Sequence, residues 1–224
     1  MDLYHLTTLW RKRFPQMSTF EVSHILKSLE EYGGFNEYIE NNKTKERDLG
    51  SEYVTDTLGI ELRVYIKKNI LIEDIKEVII TAEKLGKYLG QNELRQQMDD
   101  ANSLGNSSKK IQDIFINYCE KLGFESEKKG LFKDYNLRPD YYKKINDDGI
   151  LLEVERGKTI TNNMDFYDLW KCHICKEANH LFLFVPKNVS HTKNIYESTF
   201  RRFSSFFREE KNHINIDTVF LFGY

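Results

Sequence analysis

The spacing of apolar residues predicts a mostly helical first half. An apolar stripe at helical spacing follows a Ser18–Glu21 capping box, and Leu71–Leu89 has the pattern of a second amphipathic helix. Between them, Ile60–Ile66 alternates sufficiently for a short strand. The polar stretch Gln96–Lys110 is rich in small residues and typical of a linker. We therefore expect an accessory helical region at 1–104 and a separate core at 105–224.

The second half alternates helices with short apolar strands. A helix capped by Ser107 or Ser108 precedes extended segments near residues 124–129, 137–145 and 150–156. The segment Asn162–Ala178 is predicted to be a helix, with one side formed by Phe166, Leu169, Trp170, His173 and Ile174. A buried strand at His180–Pro186, a helix at Asn194–Glu210 and a buried strand at Asp217–Tyr224 complete the chain.

This order of elements predicts an α/β fold. Strand, helix and strand in succession form a parallel unit, whereas the early hairpin adds an antiparallel pair. We therefore expect a mixed central sheet flanked by helices, joined to a mostly helical N-terminal part.

Composition narrows the class of protein without naming a function. The chain has 224 residues, of which 40% are hydrophobic and 30% charged, and its formal net charge is −2. That charge argues against a non-specific nucleic-acid binder but allows a local basic cleft. The three cysteines form no even disulfide framework, no apolar run is long enough to span a membrane, and the first residues lack a signal-peptide core. We expect a cytoplasmic protein with no membrane partner.

Two carboxylates interrupt an otherwise apolar strand, "ILLEVER", where Glu153 and Glu155 share one face. A carboxylate removed from water costs several kcal/mol unless it is paired, protonated or bound to a cation. If Asn146–Gly149 is the hairpin turn, Asp140 faces Glu155 and all three acids aim at one point. Three carboxylates suit Mg²⁺, so we predict a metal site of Asp140, Glu153 and Glu155 that supports phosphodiester hydrolysis.

The pattern "RPD", a gap and then "EVE" resembles the PD-(D/E)xK nuclease superfamily, which includes most type II restriction endonucleases. The resemblance covers the second half of the chain and implies a restriction endonuclease-like core, Mg²⁺ dependence and DNA cleavage. It assigns Asp140 to the aspartate of the motif and Glu153 to its second acid. Glu155 stands where the family usually has lysine, so Lys158 or Lys171 is a candidate for a migrated ammonium.

The segment "RGKTITNN" follows the second acid strand directly and is rich in hydrogen-bond donors. Donors between a strand end and a helix start favour phosphate and base-edge contacts. The predicted DNA-binding residues are Arg156, Lys158, Thr159, Asn162, Asn163 and Lys171. An alternative interpretation is a loop of capping residues, with Asn163 capping the helix.

Other signals have simpler explanations. The acids form a solvated hairpin face if Lys143 or Lys144 pairs with them. Cys172 and Cys175 lack a second cysteine pair and are interpreted as packed thiols rather than a zinc site. The aromatic residues of "FRRFSSFFREE" recur at helical spacing, which is typical of a core face.

These observations favour a Mg²⁺-dependent endodeoxyribonuclease of the type II restriction class. Its partners would be double-stranded DNA and a second copy of the chain, because a two-fold protein matches a palindromic site. One alternative is a repair, junction-resolving or defence nuclease of the same superfamily without strict sequence specificity. A second is a non-catalytic nucleic-acid-binding or protein-interaction module in which the acids are structural.

Overall fold

A mixed β-sheet forms the centre of the protein. The computed structural model describes residues 35–37, 60–67, 70, 74–103, 108–126, 132, 136–156, 159–189, 193–208 and 214–224. The predicted capping box at Ser18–Glu21 lies outside these ranges. The strands of the sheet are β1 (Phe35–Glu37), β2 (Glu61–Lys67), β3 (Glu125–Ser126), β4 (Tyr141–Ile145), β5 (Asp148–Val154), β6 (His180–Val185) and β9 (Thr218–Gly223). A separate small hairpin is formed by β7 (Asn188–Val189) and β8 (Lys193–Asn194).

The sheet has the order β1-β2-β9-β6-β5-β4-β3. Strands β5, β6 and β9 are parallel, whereas β2 pairs with β9 and β4 pairs with β5 in antiparallel fashion. The helices in the described ranges are α1 (Lys76–Leu89), α2 (Asn92–Asn102), α3 (Ser108–Lys121), α4 (Met164–Ile174) and α5 (Ile195–Arg208). The predicted α/β class with a mixed sheet flanked by helices is confirmed.

Side chains that alternate along the strands build one core on each face of the sheet. On β5, Ile150 and Leu152 pack in a core with side chains of α1, α2 and α3. Leu151 points the other way, into a core shared with α4 and α5. Strand β6 is buried along its whole length, as its unbroken apolar sequence predicts. Because position 153 has the same parity as Leu151, its glutamate is directed to the α4 side.

The structure bears on the predicted linker and on the predicted division of the chain into two regions. The linker predicted over Gln96–Lys110 is wrong at its ends, because Gln96–Asn102 belongs to α2 and Ser108–Lys110 to α3. Strand β2 lies in the same sheet as β9, so a segment before residue 104 contributes to the central sheet. The division of the chain into an accessory region and a core stays a prediction.

The orientation of α4 differs from its predicted apolar face. Leu169 is buried, but Trp170 and Ile174 are exposed. The buried face instead contains Asp165, Asp168 and Lys171. Charged side chains on a face that packs against a sheet need partners there, and the site described below supplies them.

None of the described helices combines the length and the apolar character needed to cross a membrane. Cys119, Cys172 and Cys175 are buried free thiols, which for Cys172 and Cys175 agrees with their interpretation as packed residues.

Substitution of Gly149 tests the packing of the β4–β5 hairpin. A Cβ at this position would lie 2.5 Å from Cε2 of Tyr142 and 2.6 Å from the carbonyl oxygen of Glu177. We expect Gly149→Ala to lower the free energy of unfolding by about 1–3 kcal/mol, because the backbone must shift to admit the methyl group. Urea denaturation checks this, with Gly90→Ala as the control, since Gly90 has a φ of −72° that alanine adopts without strain. Equal urea midpoints for Gly149→Ala and the unchanged protein would contradict this packing.

Candidate active site

The register of the β4–β5 hairpin brings Asp140 beside Glu153. Ile145 pairs with Asp148, so the turn consists of Asn146 and Asp147, and Asn146 adopts a φ of 51° that asparagine tolerates. The predicted pairing of Asp140 with Glu155 is therefore wrong by two residues. The backbone N–H of Asp140 donates to Oε2 of Glu153 at 3.3 Å. Because a shift of two keeps each side chain on its face, the predicted grouping of these acids on one side is retained.

Asp140 is held by two hydrogen bonds. Its Oδ1 accepts from Nε2 of Gln112 on α3 at 2.8 Å, and its Oδ2 accepts from the backbone N–H of Val154 at 2.8 Å. The side chain is half-buried. These bonds fix the carboxylate across the ends of β4 and β5.

Lys171 of α4 joins two buried carboxylates. Its Nζ lies 2.9 Å from Oε1 of Glu153 and 2.9 Å from Oδ1 of Asp168. Glu153 is 2% exposed and Asp168 is fully buried. Burial alone would lower the pKa of Lys171, but the two carboxylates outweigh burial and raise it, so the ammonium form is stable at neutral pH.

Glu155 completes the group through Asp168. Burial, and after it the neighbouring Asp168, raise the pKa of Glu155 to about 8. Burial also raises the pKa of Asp168, to about 6, against the opposing effect of Lys171. Two ionised carboxylates have no hydrogen to donate, so the contact becomes a hydrogen bond when one holds a proton. Glu155 has the higher pKa and therefore carries that proton.

The charges of this group do not balance. We call Asp140, Glu153, Glu155 and Asp168, together with Lys171, the acid cluster. Burial raises the pKa of Glu153 well above its ordinary value, and Asp168 and Asp140 add to the effect while Lys171 opposes it. Among the described residues, one ammonium therefore faces four carboxyl groups, and part of the negative charge is removed by protonation instead of by pairing. A bound cation would relieve the same excess.

The donor set fits a hard divalent cation held by two carboxylates. The described residues contain no group of three or more His, Cys, Asp or Glu side chains arranged to hold a metal, so the predicted three-acid arrangement is not seen among them. Lys171 instead occupies one oxygen of Glu153. Mg²⁺ in proteins usually takes one or two carboxylates and completes its shell with water and substrate phosphate. Asp140 and Glu153 are adjacent and suit that role.

The predicted DNA-binding donors have different surroundings. Lys158 lies outside the described residues. Nη2 of Arg156 donates to the carbonyl oxygen of Ser103 at 2.6 Å, and Asn162 is exposed. Thr159 is fully buried, and its hydroxyl donates to the carbonyl oxygen of Arg156; its contact with DNA stays a prediction.

The remaining two donors are engaged within the protein. Asn163 precedes α4 with a φ of 53° and makes no side-chain capping bond; its Oδ1 accepts from Nη2 of Arg202 at 2.8 Å. Lys171 was predicted both as a DNA contact and as a migrated ammonium. Its place between Glu153 and Asp168 agrees with the second role and leaves its side chain only 11% exposed.

Sequence reasoning missed Asp168 and Gln112. Asp168 stands three residues before Lys171, and Asp165 three residues before that, so the three share one helical face with the buried Leu169 and Cys172. Ionisable residues that recur every three positions beside buried apolar residues were the available sequence signal for this part of the site. Gln112 gave no comparable signal, because a half-buried glutamine is common on an amphipathic helix.

No family model, no curated protein and no solved structure matches this chain. The chemistry of the site is therefore inferred from its own residues.

The raised pKa of Glu155 predicts a specific dependence of stability on pH. A carboxyl group whose pKa is higher in the folded state stabilises the fold at low pH, and this contribution is lost as pH rises towards 8. The neutral variant Glu155→Gln should therefore match the original protein near pH 5 and exceed its melting temperature near pH 8. We expect a gain of at least about 2–4 °C, which corresponds to roughly 1 kcal/mol in a protein of this size.

Thermal unfolding in EDTA at both pH values measures this difference. Glu93→Gln, at an exposed position in the first turn of α2, is the matched control and should show no gain that grows with pH. A Glu155→Gln effect that is the same at pH 5 and pH 8 would contradict the assignment.

Proposed function

We propose that this protein is a Mg²⁺-dependent endodeoxyribonuclease that hydrolyses phosphodiester bonds in double-stranded DNA, of the type II restriction class. The observation that carries the proposal is the acid cluster, in which four buried or half-buried carboxyl groups at the end of β5 and on α4 exceed the charge of one lysine. Open α/β sheets bind ligands at the carboxyl ends of their strands. The "RPD" and "EVE" segments that resemble the PD-(D/E)xK nucleases supply three of the four acids.

Asp140 and Glu153 are the proposed metal ligands. When bound there, Mg²⁺ lowers the pKa of a coordinated water and stabilises the charge of the reacting phosphate. Gln112 and the backbone N–H of Val154 keep the Asp140 carboxylate in place for this role. Lys171 fixes one oxygen of Glu153 and leaves the other directed toward Asp140.

Glu155 is the proposed proton acceptor in its ionised form, which a bound cation would favour by lowering the pKa of this carboxyl group. The reaction forms a bond between a water oxygen and phosphorus and breaks the bond from phosphorus to the leaving ribose oxygen. A proton must leave the attacking water, and a carboxyl group with a pKa of about 8 exchanges protons near neutral pH. Lys171 is unsuited to this exchange because its pKa is raised and it stays charged, so its role is electrostatic.

Arg156 and Asn162 are the proposed contacts to the DNA backbone. Arg156 lies two residues after β5 and is half-buried beside Glu155, while Asn162 lies shortly before α4 and is exposed. Lys158 lies between them in sequence and is proposed for the same role. Cleavage of both strands at a symmetric site would use a homodimer, since the two-fold axis of the protein then matches that of the DNA.

Two alternatives remain under this proposal. A repair, junction-resolving or defence nuclease would use the same cluster without reading sequence, and exposed aromatic residues on α4 favour it because they offer a contact independent of sequence. A non-catalytic module is less favoured. A purely structural cluster would place more carboxyl groups than cations in a buried position, at a cost to stability that apolar residues avoid.

Asp140→Ala should abolish metal-dependent DNA cleavage while leaving the fold intact. Loss of a metal ligand removes several kcal/mol of charge stabilisation, which lowers the cleavage rate by more than about a hundredfold. Gel electrophoresis of phage DNA incubated with purified protein, with and without Mg²⁺, measures the effect. Discrete fragments indicate sequence reading, and a smear indicates none.

The matched control is Asp147→Ala, which removes an exposed acid from the turn of the same hairpin and should leave cleavage unchanged. Circular dichroism checks that both variants are folded. Cleavage retained by folded Asp140→Ala would refute the proposed site.

A further inference from the structure

The large hydrophobic side chains that are exposed in the described part of the chain all lie on α4. Tyr167 is 54% exposed, Trp170 57% and Ile174 43%. Their spacing of three and four residues places them on one stripe of the helix, which we call the α4 stripe. The largest exposed apolar patch of a monomer is often a binding surface.

The α4 stripe begins at the acid cluster. Nζ of Lys171 lies 5.1 Å from the centre of the Tyr167 ring, and the same nitrogen contacts Glu153 and Asp168. Trp170 follows one turn along the helix, with its ring 4.8 Å from that of His173. The stripe therefore borders the proposed active site and extends away from it.

The dimensions of the stripe suit a short run of nucleotides. Seven residues of α-helix span about 10.5 Å from Tyr167 to Ile174. Stacked nucleotides of one strand are about 3.4 Å apart, so this length corresponds to roughly three bases.

The area of the α4 stripe is small for a protein partner. Tyrosine and tryptophan bury about 150–250 Å² each when fully covered. The half-exposed stripe therefore offers roughly 300 Å², whereas a standard protein interface buries about 800 Å² on each partner.

We propose that the α4 stripe stacks against unpaired bases of the DNA strand that enters the acid cluster. The inference rests on the proposed nuclease function, in its alternative form that does not read sequence, and specifies its substrate as duplex DNA with a single-stranded segment next to the cleaved phosphate. Every base has an aromatic face, so aromatic side chains hold a single strand without reading its sequence. In a duplex the same faces are covered by neighbouring bases. Tyr167 and Trp170 are the stacking residues, and Ile174 extends the apolar surface.

Binding is measured without cleavage by working in EDTA. The chain contains two tryptophans, so Trp10→Phe leaves Trp170 as the sole fluorescent tryptophan. Addition of a short oligothymidylate to this variant should quench the fluorescence, and a blunt duplex of equal length should quench it much less. In the chain that retains Trp10, Trp170→Ala should weaken oligothymidylate binding at least fivefold, which is the lower end of the loss expected for one stacked base.

Two matched variants separate stacking from other roles. Trp170→Phe keeps an aromatic ring and should retain most of the affinity, whereas Ile174→Ala removes apolar area without removing a ring and should change it less than twofold. Equal loss in Ile174→Ala and Trp170→Ala would overturn stacking, as would quenching by duplex equal to that by oligothymidylate. A sedimentation coefficient that falls on Trp170→Ala would also overturn it, by assigning the stripe to a second copy of the chain.

The experiments distinguish failure of the stacking proposal from failure of the nuclease proposal. If Asp140→Ala removes cleavage but oligothymidylate leaves Trp170 fluorescence unchanged, the nuclease proposal stands and the stacking role falls. If no metal-dependent cleavage is found at all, the nuclease proposal falls, and with it the assignment of the stripe to a nuclease substrate.

Discussion

The ion pairs of Lys171 with Glu153 and Asp168 are the interaction on which the site depends. They hold a buried ammonium between two buried carboxylates, each at 2.9 Å. A buried charge without a partner is strongly destabilising, so this contact decides that α4 packs with Lys171 inward and with Trp170 outward. It also connects β5 to α4 across the sheet face and so assembles the acid cluster from two separate elements. In the part of the chain that the structure describes, one lysine faces four carboxyl groups. The cluster therefore keeps an excess of negative charge, which protonation of the carboxyl groups reduces.

The fold produces this arrangement through strand alternation. Glu153 follows the parity of Leu151 and therefore points to the face covered by α4, while Leu152 points to the opposite core. The tight hairpin then places Asp140 across from Glu153, where its backbone N–H contacts that carboxylate. A shift of the hairpin by one residue would direct these acids to the opposite face of the sheet, away from Lys171. The register therefore decides whether the acid cluster forms.

Sequence reasoning reached the class of the fold and part of the site, for physical reasons that can be separated. Apolar runs such as that of β6 and the alternation of β5 are local signals, and both strands were found because each pattern has one explanation. The side of α4 that faces the sheet was missed, because Trp170 and Ile174 suggested an apolar face by composition. Only the tertiary contacts of Lys171 decide that orientation. The residue that lies opposite Asp140 depends on the length of the hairpin turn. The sequence allows a turn of either two or four residues, so it does not decide this pairing. Asp168 escaped notice because a helical aspartate is usually solvated.

The central claim is that the acid cluster carries an excess of negative charge that a divalent metal would neutralise. Direct measurement of cation binding tests this claim. Titration calorimetry with Mg²⁺ near pH 7, repeated in two buffers of different ionisation enthalpy, gives both the affinity and the protons released. The account predicts saturable binding that releases up to about one proton, because Glu155 carries a proton in the metal-free protein and a nearby cation lowers its pKa. Binding should be lost in Glu153→Gln. Absence of saturable binding, or binding that is unchanged in Glu153→Gln and releases no proton, would contradict the account.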